Sequence, residues 1–296
     1  MTRRRIAIGM LDSVITLDPK FASAYAVKAA TLSDLTGFYT KAGDRFEPGL
    51  VQAAAMARQA IALAPNLAAA HMALAGILQW QLDIGGAAVE FEKGHSLAGG
   101  EINDLLAYAD FLGVLGKADE ALAAARQARA RDPLNASTFA TEAGALFGVG
   151  RYPESVQLFR KALAIAPNRL RDRSALARSL AEMGKYDEAL AEVGKLPRDD
   201  LFRLVEQSII YSRQGNRAGS DAALNRAQQL FGDAANYQYA EVHAQRGETD
   251  EAFAALDRAW SFRDPGLAIM KRDKRMGPLR ADPRYSALLR KMNFPA

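Results

Sequence analysis

The feature that most constrains this chain is a sequence repeat with a period of 34 residues between Asn66 and Leu196. The repeating units are punctuated at Gly99, Pro133 and Pro167, which stand one period apart. Within each unit, small and large apolar residues return at the same places. Such self-similarity indicates stacked supersecondary units, because one unit cannot bury its own apolar face and its neighbours must cover it.

Each unit is predicted to contain two helices joined by a tight turn. Apolar residues recur at helical spacing, and Gly116, Gly150 and Gly184 stand between the two halves. Glycine adopts the left-handed conformation that ends a helix without a steric penalty. Pro153 falls in the first turn of a second helix, where its missing N–H is not needed. The sequence therefore predicts an all-α fold, a right-handed α-α superhelix of helix pairs.

The pattern resembles the tetratricopeptide repeat (TPR), which has small residues where its paired helices cross, a large residue between them and a closing proline. The match holds in register over four consecutive units. Its positions are Leu74-Ala75, Leu78, Ala87 and Phe91, then Tyr108-Ala109, Leu112, Ala121 and Ala125, then Glu142-Ala143, Leu146, Ser155 and Phe159, then Leu176-Ala177, Leu180, Ala189 and Val193.

A narrower resemblance rests on three further features. The first full repeat has a long insert, the third carries Trp80 and Asp83, and the chain closes with Pro278-Leu-Arg-Ala-Asp-Pro-Arg-Tyr285. Together these are similar to the TPR region that follows class III adenylate cyclase or winged-helix domains in bacterial signalling proteins. The resemblance implies a signalling role, with the catalytic or DNA-binding domain encoded outside these residues.

We expect one elongated solenoid domain. Residues 1–19 would form a half repeat without its partner helix, either as an unusual cap or because the chain is the C-terminal part of a longer protein. The insert at residues 33–48 is interpreted as a longer helix pair with a loop, or as a partner-binding loop. The predicted segments are 1–19 (half repeat), 20–65 (repeat with insert), 66–196 (four regular repeats), 197–262 (two divergent repeats) and 263–296 (C-terminal capping helices).

Positive charge is concentrated at the C-terminus. The formal net charge is +4, and residues 263–296 hold nine Lys/Arg and three Asp/Glu, a net of +6, so the remaining residues sum to −2. We interpret the run Lys271-Arg-Asp-Lys-Arg275 as the solvated face of a cap, with contact to an acidic partner or to phosphates as the alternative. Nucleic-acid binding is not favoured, because interleaved aromatic residues are missing from the run.

The sequence predicts no catalytic, cofactor or metal site, so we expect a protein that is not an enzyme. Without cysteine there is no disulfide, thiolate nucleophile or Cys-ligated metal. His71, His95 and His243 lack metal-ligand spacing, and His71 is expected at a helix interface. The apolar run Ile6–Leu11 is too short for a secretory signal, and no stretch is long enough to span a bilayer, which predicts a cytoplasmic protein.

The concave face of a TPR array is lined mostly by first helices, and carrying that register over predicts a partner-binding groove. An extended peptide could place an acidic group near Arg171 and Arg178 and an apolar group near Phe202. Alternatively, these side chains line the groove without binding a partner. The predicted groove residues are Gln79, Asn103, Asp110, Ser137, Arg171, Arg178, Glu182, Phe202, Val205 and Ile209.

These observations predict a protein-interaction or regulatory scaffold that binds a protein or peptide in its groove. The first alternative is the C-terminal sensor or scaffold segment of a larger signalling protein, either an adenylate cyclase or a transcriptional regulator. A second is a nucleic-acid binder acting through residues 263–296. A third is a homo-oligomer that associates through the helix at residues 1–19.

Overall fold

The computed structural model describes residues 2–39 and 46–295, which form helices and turns and contain no β-strand. Three short 3-10 helices, Gly232–Ala235, Pro265–Ile269 and Lys274–Leu279, accompany the α-helices. The α-helices are α1 Thr2–Leu17, α2 Ala22–Tyr39, α3 Phe46–Leu63, α4 Ala68–Trp80, α5 Ile84–Leu97, α6 Ile102–Val114, α7 Ala118–Arg131, α8 Ala136–Gly148, α9 Tyr152–Ile165, α10 Leu170–Glu182, α11 Tyr186–Val193, α12 Leu201–Arg213, α13 Arg217–Phe231, α14 Asn236–Gln245, α15 Thr249–Ser261 and α16 Pro283–Lys291.

Consecutive helices pack in adjacent pairs, α2 with α3, α4 with α5, and each pair from α8 with α9 to α14 with α15. Helices α6 and α7 share a hydrophobic cluster. We call the even-numbered members, α2 to α14, the first helices and their partners the second helices. First helices also contact the first helix of the next pair, as α10 does with α12 and α12 with α14. This pairing confirms the predicted all-α, TPR-like solenoid class.

The predicted glycine turns are present. Gly116, Gly150 and Gly184 follow first helices with φ of +78°, +82° and +72°. In the third repeat Leu82 takes this place, with φ +61° and an exposed fraction of 2%. A side chain in the left-handed region costs about 1–2 kcal/mol. Burial of Leu82 offsets that strain, so the turn keeps its geometry without glycine.

The small residues of the repeat lie where helices cross. Ala143, Ala162 and Ala177 are fully buried, which lets neighbouring backbones approach closely. Ser155 takes the same kind of place, and its hydroxyl donates to the carbonyl of Ala143 at 2.8 Å. Larger side chains such as Phe159 fill the space between crossings, and each buried one contributes about 1.5–3 kcal/mol.

The described residues divide into two compact units. The first comprises those up to Asp104 together with those from Ala287 onward. Its helices α2 and α3 have 18 residues each, against 13 and 14 in the next pair. The predicted insert at 33–48 is thus largely a longer helix pair, and residues 40–45 lie outside the described residues. How the chain divides into repeats and a cap stays a prediction.

The end of the chain, from Ala287 onward, belongs to the first unit. The backbone N–H of Ile84, in the first turn of α5, donates to the carbonyl of Met292 at 3.0 Å. The Asn293 amide donates to Asp83, the N-cap of α5, at 3.0 Å. First-turn N–H groups have no partner within their own helix, so the chain end supplies one here.

The second unit runs from Leu105 to Ser286. Asp282 caps α16, accepting the N–H of Arg284 at 2.9 Å. Arg284 also pairs with Asp250 of α15 at 3.0 Å, and its guanidinium lies 4.1 Å from the ring centroid of Phe253. The start of α16 therefore packs on the last repeat. The residues before it, 264–282, which we call the C-terminal strap, cross the first helices of the same unit.

Candidate partner-binding surface

The C-terminal strap contacts first helices from α6 to α14. The Arg272 guanidinium donates to the carbonyl of Asp110 in α6 at 3.3 Å. At the other end, the Gln245 amide of α14 donates to the carbonyl of Arg275 at 2.8 Å. Asp273 and Arg275 are 5% and 3% exposed. The interpretation of Lys271–Arg275 as a solvated face is therefore wrong for Asp273 and Arg275, which are buried against charged groups of the same unit, whereas Arg272 is exposed.

Lys274 lies beside two aromatic rings, one from the last turn of α8 (Phe147) and one from the first residue of α9 (Tyr152). Its ammonium is 4.9 Å from the ring centroid of Tyr152 and 5.6 Å from that of Phe147. It also contacts the Tyr152 hydroxyl at 3.1 Å. The two rings are themselves in tilted contact, with centroids 5.4 Å apart. An ammonium over the faces of such rings is attracted by their quadrupoles.

A buried cluster of charges joins the strap to three first helices. Arg275 of the strap pairs with Glu206 of α12 and approaches Glu241 of α14 at 3.5 Å. Arg178 of α10 lies 3.5 Å from Glu206, 3.4 Å from Glu241 and 4.0 Å from Asp273. The Tyr237 hydroxyl donates to Asp273 at 2.9 Å. Two guanidinium groups thus face three carboxyl groups in a water-poor environment.

The carboxyl groups of this cluster differ in protonation. Burial, together with the charge of Asp273, raises the pKa of Glu241 to about 8. Burial also opposes ionisation of Asp273, but Arg178 and Arg275 hold its pKa below the ordinary value. The pKa of Glu206 is lowered as well, since the same two guanidinium groups outweigh its burial. With Glu241 protonated, two cations face two anions and the cluster is balanced.

The predicted groove residues fall into separate environments. Arg178 belongs to the buried cluster, and Asp110 meets the strap through its carbonyl. The carboxylate of Asp273, from this same chain, lies where we predicted an acidic group of a partner. Val205 and Ile209 are 2% and 1% exposed and pack in the interior. Their apolar side chains belong to the core of the second unit and do not line an open groove.

Other predicted residues take part in local pairs. The Arg169 guanidinium donates to the hydroxyl of Ser137 at 3.2 Å, joining α8 to the start of α10. Glu182 accepts from Arg213 of α12 at 2.8 Å. Gln79 is half-buried in α4 and Asn103 is exposed at the start of α6, both in the first unit.

Arg171 and Phe202 are two predicted groove residues that lie close together and reach solvent. Arg171 is exposed, Phe202 is half-buried, and the guanidinium lies 6.0 Å from the ring centroid. They stand at the N-terminal ends of α10 and α12, whereas Arg178 and Glu206 lie further along the same helices. We call the surface of Ser137, Arg171 and Phe202 the open strip.

Sequence reasoning did not single out Glu206 and Tyr237, and it considered Asp273 and Arg275 only as members of the basic run Lys271–Arg275. A signal was present for Glu206, which interrupts the apolar run Leu204-Val205-Glu206-Gln-Ser-Ile-Ile210. A carboxylate on the apolar face of a helix must find a buried partner. Its partner is 69 residues away in the sequence, and no local pattern connects the two.

His71 has the interface environment that we predicted. One ring nitrogen lies 2.6 Å from a carboxylate oxygen of Glu90 and the other 3.0 Å from the carbonyl of Pro65. In the part of the chain that the structure describes, no cluster of three or more His, Cys, Asp or Glu side chains has the arrangement of a metal site.

A family model described as tetratricopeptide repeat matches residues 146–203. This segment runs from the end of α8 to the start of α12. It carries the tetratricopeptide repeat. Arg171, Arg178, Glu182 and Phe202 all lie inside it, so the repeat and the predicted groove coincide in this part of the molecule.

Solved structures share the fold over most of the chain. A tetratricopeptide repeat protein from Parabacteroides merdae is 17% identical, covers 92% of this chain and 99% of its own length, and has a TM-score of 0.59. The human IFIT1 dimer with PPP-AAAA, also 17% identical, covers 87% of this chain and 68% of its own, with a TM-score of 0.60. At this identity the likeness concerns the fold alone.

One curated relative has detectable sequence similarity, the human protein O-mannosyl-transferase TMTC1. It is 36% identical over 93 residues, which are 29% of this chain and 10% of the relative. The match thus spans about a tenth of the relative's length. Among the described residues, no helix combines the length and the apolar character needed to cross a membrane.

Proposed function

We propose that this chain is a non-catalytic interaction scaffold and that the open strip binds a partner protein or peptide. The observation that carries the proposal is the exposed Arg171 guanidinium beside the Phe202 ring, within the matched repeat segment. An arginine next to an aromatic side chain offers a planar donor for a carboxylate and an apolar contact for a neighbouring group.

The chemistry of the open strip favours a partner with an acidic residue near an apolar one. Arg171 can form a two-point contact with a carboxylate, and Phe202 provides ring surface beside it. Ser137 adds a hydroxyl that already accepts from Arg169. Further along α10, the buried carboxylates that surround Arg178 neutralise its charge, so Arg171 is the cation that we assign to partner recognition.

A capture experiment tests this proposal. Full-length chain, its Arg171→Glu variant and an Arg258→Glu control would be used to capture proteins from a cell lysate. Arg258 is an exposed residue of the second helix α15, so the control makes the same charge change away from the strip. We expect one set of captured proteins to be lost with Arg171→Glu alone, while circular dichroism remains unchanged. Equal capture by all three proteins would contradict the assignment.

A second variant, Phe202→Ala, separates the apolar contribution from the charged one. We expect it to weaken capture of the same partners as Arg171→Glu. If only Arg171→Glu acts, the recognition is electrostatic and should decline as salt is raised.

The absence of catalysis is part of the proposal. The mannosyl-transferase relative matches over a tenth of its length, and that share does not carry a transferase activity to this chain. The resemblance to regions that follow adenylate cyclase or winged-helix domains stays a prediction, as do the bacterial signalling role and the cytoplasmic location. A cyclase or DNA-binding domain encoded upstream in the same reading frame would support that alternative.

The other partner predictions have weaker support. Arg272 and Lys274 are engaged with Asp110 and Tyr152, which favours a protein partner over nucleic acid. Self-association through residues 1–19 stays a prediction, motivated by Ile6 and Met10 of α1, which are 55% and 66% exposed. A single monomer mass at high protein concentration would exclude it.

A further inference from the structure

The strap places its cations at the C-terminal ends of first helices. Arg272 donates to a carbonyl in the last turns of α6. The Lys274 ammonium lies beside Gly150, which follows α8, at 3.5 Å from the place a Cβ would occupy there. The carbonyls at a helix C-terminus carry partial negative charge and favour cations. Two successive repeats therefore present a cation-binding end to the same face.

Aromatic and acidic side chains add selectivity to this face. Phe147 and Tyr152 surround the Lys274 ammonium, as two rings and a hydroxyl. The next strap residue, Arg275, extends to Glu206, which is fully buried. Adjacent pockets thus accept an ammonium and a guanidinium from consecutive residues. An acidic or apolar peptide would leave Glu206 with Arg178 as its remaining guanidinium partner and would leave the helix carbonyls without the strap's cations.

The strap also presents one carboxylate of its own to the surface. Asp273 accepts from the Tyr237 hydroxyl at 2.9 Å and lies 4.0 Å from Arg178. The sequence that the surface accommodates is therefore a cation, an acid and two further cations, Arg272-Asp-Lys-Arg275.

We propose that the C-terminal halves of α6, α8 and α14, together with Glu206 in the middle of α12, form a binding surface for basic peptide segments. In this structure the strap of the same chain occupies that surface. A partner protein whose chain contains an acidic residue followed by Lys-Arg takes the place of residues 272–275 on this surface. This surface is separate from the open strip, and its partner has the opposite charge. The charge distribution agrees, since residues outside 263–296 sum to −2 while the strap end is basic.

The test uses the full-length chain and a fluorescent synthetic peptide with the sequence of residues 268–280. In the variant Arg272→Glu/Lys274→Glu, charge reversal weakens the strap, and the surface itself is unchanged. We expect this variant to bind the peptide at least about tenfold more tightly than the wild type. The control Arg226→Glu/Arg258→Glu makes the same charge change on second helices and should bind like the wild type.

Two further peptides separate sequence recognition from general charge attraction. A scrambled peptide of the same composition should bind the strap variant more weakly, and an acidic peptide of equal length should not bind. The proposal would be overturned if the strap variant bound all three peptides equally. It would also be overturned if the peptide of residues 268–280 bound equally to the wild type, the strap variant and the control. A dimer of the strap variant that excludes the peptide would overturn it too, because the occupant would then be a second copy.

The variant must remain folded for this comparison, so circular dichroism and hydrogen exchange of α14 accompany the titration. If the double variant loses its helices, the milder Lys274→Gln replaces it, and a smaller increase in peptide affinity is expected. No increase in a folded Lys274→Gln chain would contradict the proposal. Capture of partners at the open strip is tested by Arg171→Glu, so either proposal can fail without the other.

Discussion

Two parts of the first helices in the second unit have different environments, although both belong to the same repeat pattern. At the N-terminal ends, Arg171 and Phe202 reach solvent. Further along the same two helices, Arg178 and Glu206 lie against the strap and are largely buried. The repeat alone therefore does not determine which part of its inner face is available. The strap, which lies outside the repeat pattern, decides which part is covered.

The largest expected effect comes from removing one charge of the buried cluster. Glu206→Ala leaves Arg178 and Arg275 facing each other without their main anion. Removing one partner of a buried ion pair costs about 3–5 kcal/mol. We expect a loss of that size in the free energy of unfolding, measured with urea.

The matched control is Glu188→Ala on α11, whose carboxylate pairs with Lys185 and Arg160 at the surface. We expect no measurable loss of stability there, because exposed ion pairs contribute little. An equal loss in both variants would show that the covered end has no special dependence on its charges.

The second prediction compares two glycines of one repeat. Gly150 has φ +82°, so Gly150→Ala should cost about 1–2 kcal/mol in the free energy of unfolding. Gly144 lies inside α8 with open space where a Cβ would be added. Gly144→Ala should therefore stabilise the chain by about 0.5–1 kcal/mol. Thermal unfolding should show opposite shifts, and shifts in the same direction would contradict the assigned conformations.

The third prediction concerns pH. Because the pKa of Glu241 is raised to about 8, the folded chain holds a proton that the unfolded chain has released above the ordinary pKa of glutamate. Unfolding then releases a proton, so the stability from this group falls as pH rises and is lost above about pH 8. The slope approaches about 1.4 kcal/mol per pH unit.

Urea unfolding at about pH 5.5 and about pH 7.5 measures this slope. Glu241→Gln keeps the neutral, hydrogen-bonding form at every pH and should flatten the dependence. The exposed Glu188→Gln serves as control and should leave the slope unchanged. A wild-type chain that gains stability over this range would contradict the proposed protonation.

The last prediction concerns Lys274→Met, which keeps the approximate length of the side chain and removes its charge. We expect a loss of about 0.5–2 kcal/mol, because a cation between aromatic rings contributes that much. Lys161→Met on α9 is the control, since its ammonium lies 6.0 Å from a single ring, that of Phe139. Equal losses would remove the distinction between the covered end and the rest of the surface.

Features that depend on local sequence could be predicted, whereas features that depend on contacts between distant residues could not. Gly116, Gly150 and Gly184 predicted their turns because a left-handed residue is a local requirement. The cap of α16 is local as well, since Asp282 accepts the N–H of Arg284 two residues on. The strap could not be placed, because Arg275 and Glu206 are distant in sequence and their pairing depends on the stacked repeats. Arg171 was found from the repeat register, while the burial of Val205 and Ile209 depends on the chain packed around them.

The central claim is that the strap covers one part of the first-helix face and leaves the other part open to solvent. Hydrogen exchange of the full-length chain tests this claim most directly. We predict that amides of residues 273–279 in the strap exchange slowly, with protection comparable to α14. In Arg272→Glu/Lys274→Glu their exchange should become faster, while that of α15 stays the same. Strap amides that exchange in the wild type as fast as in an unstructured peptide would show that the surface is not covered, and would contradict the account.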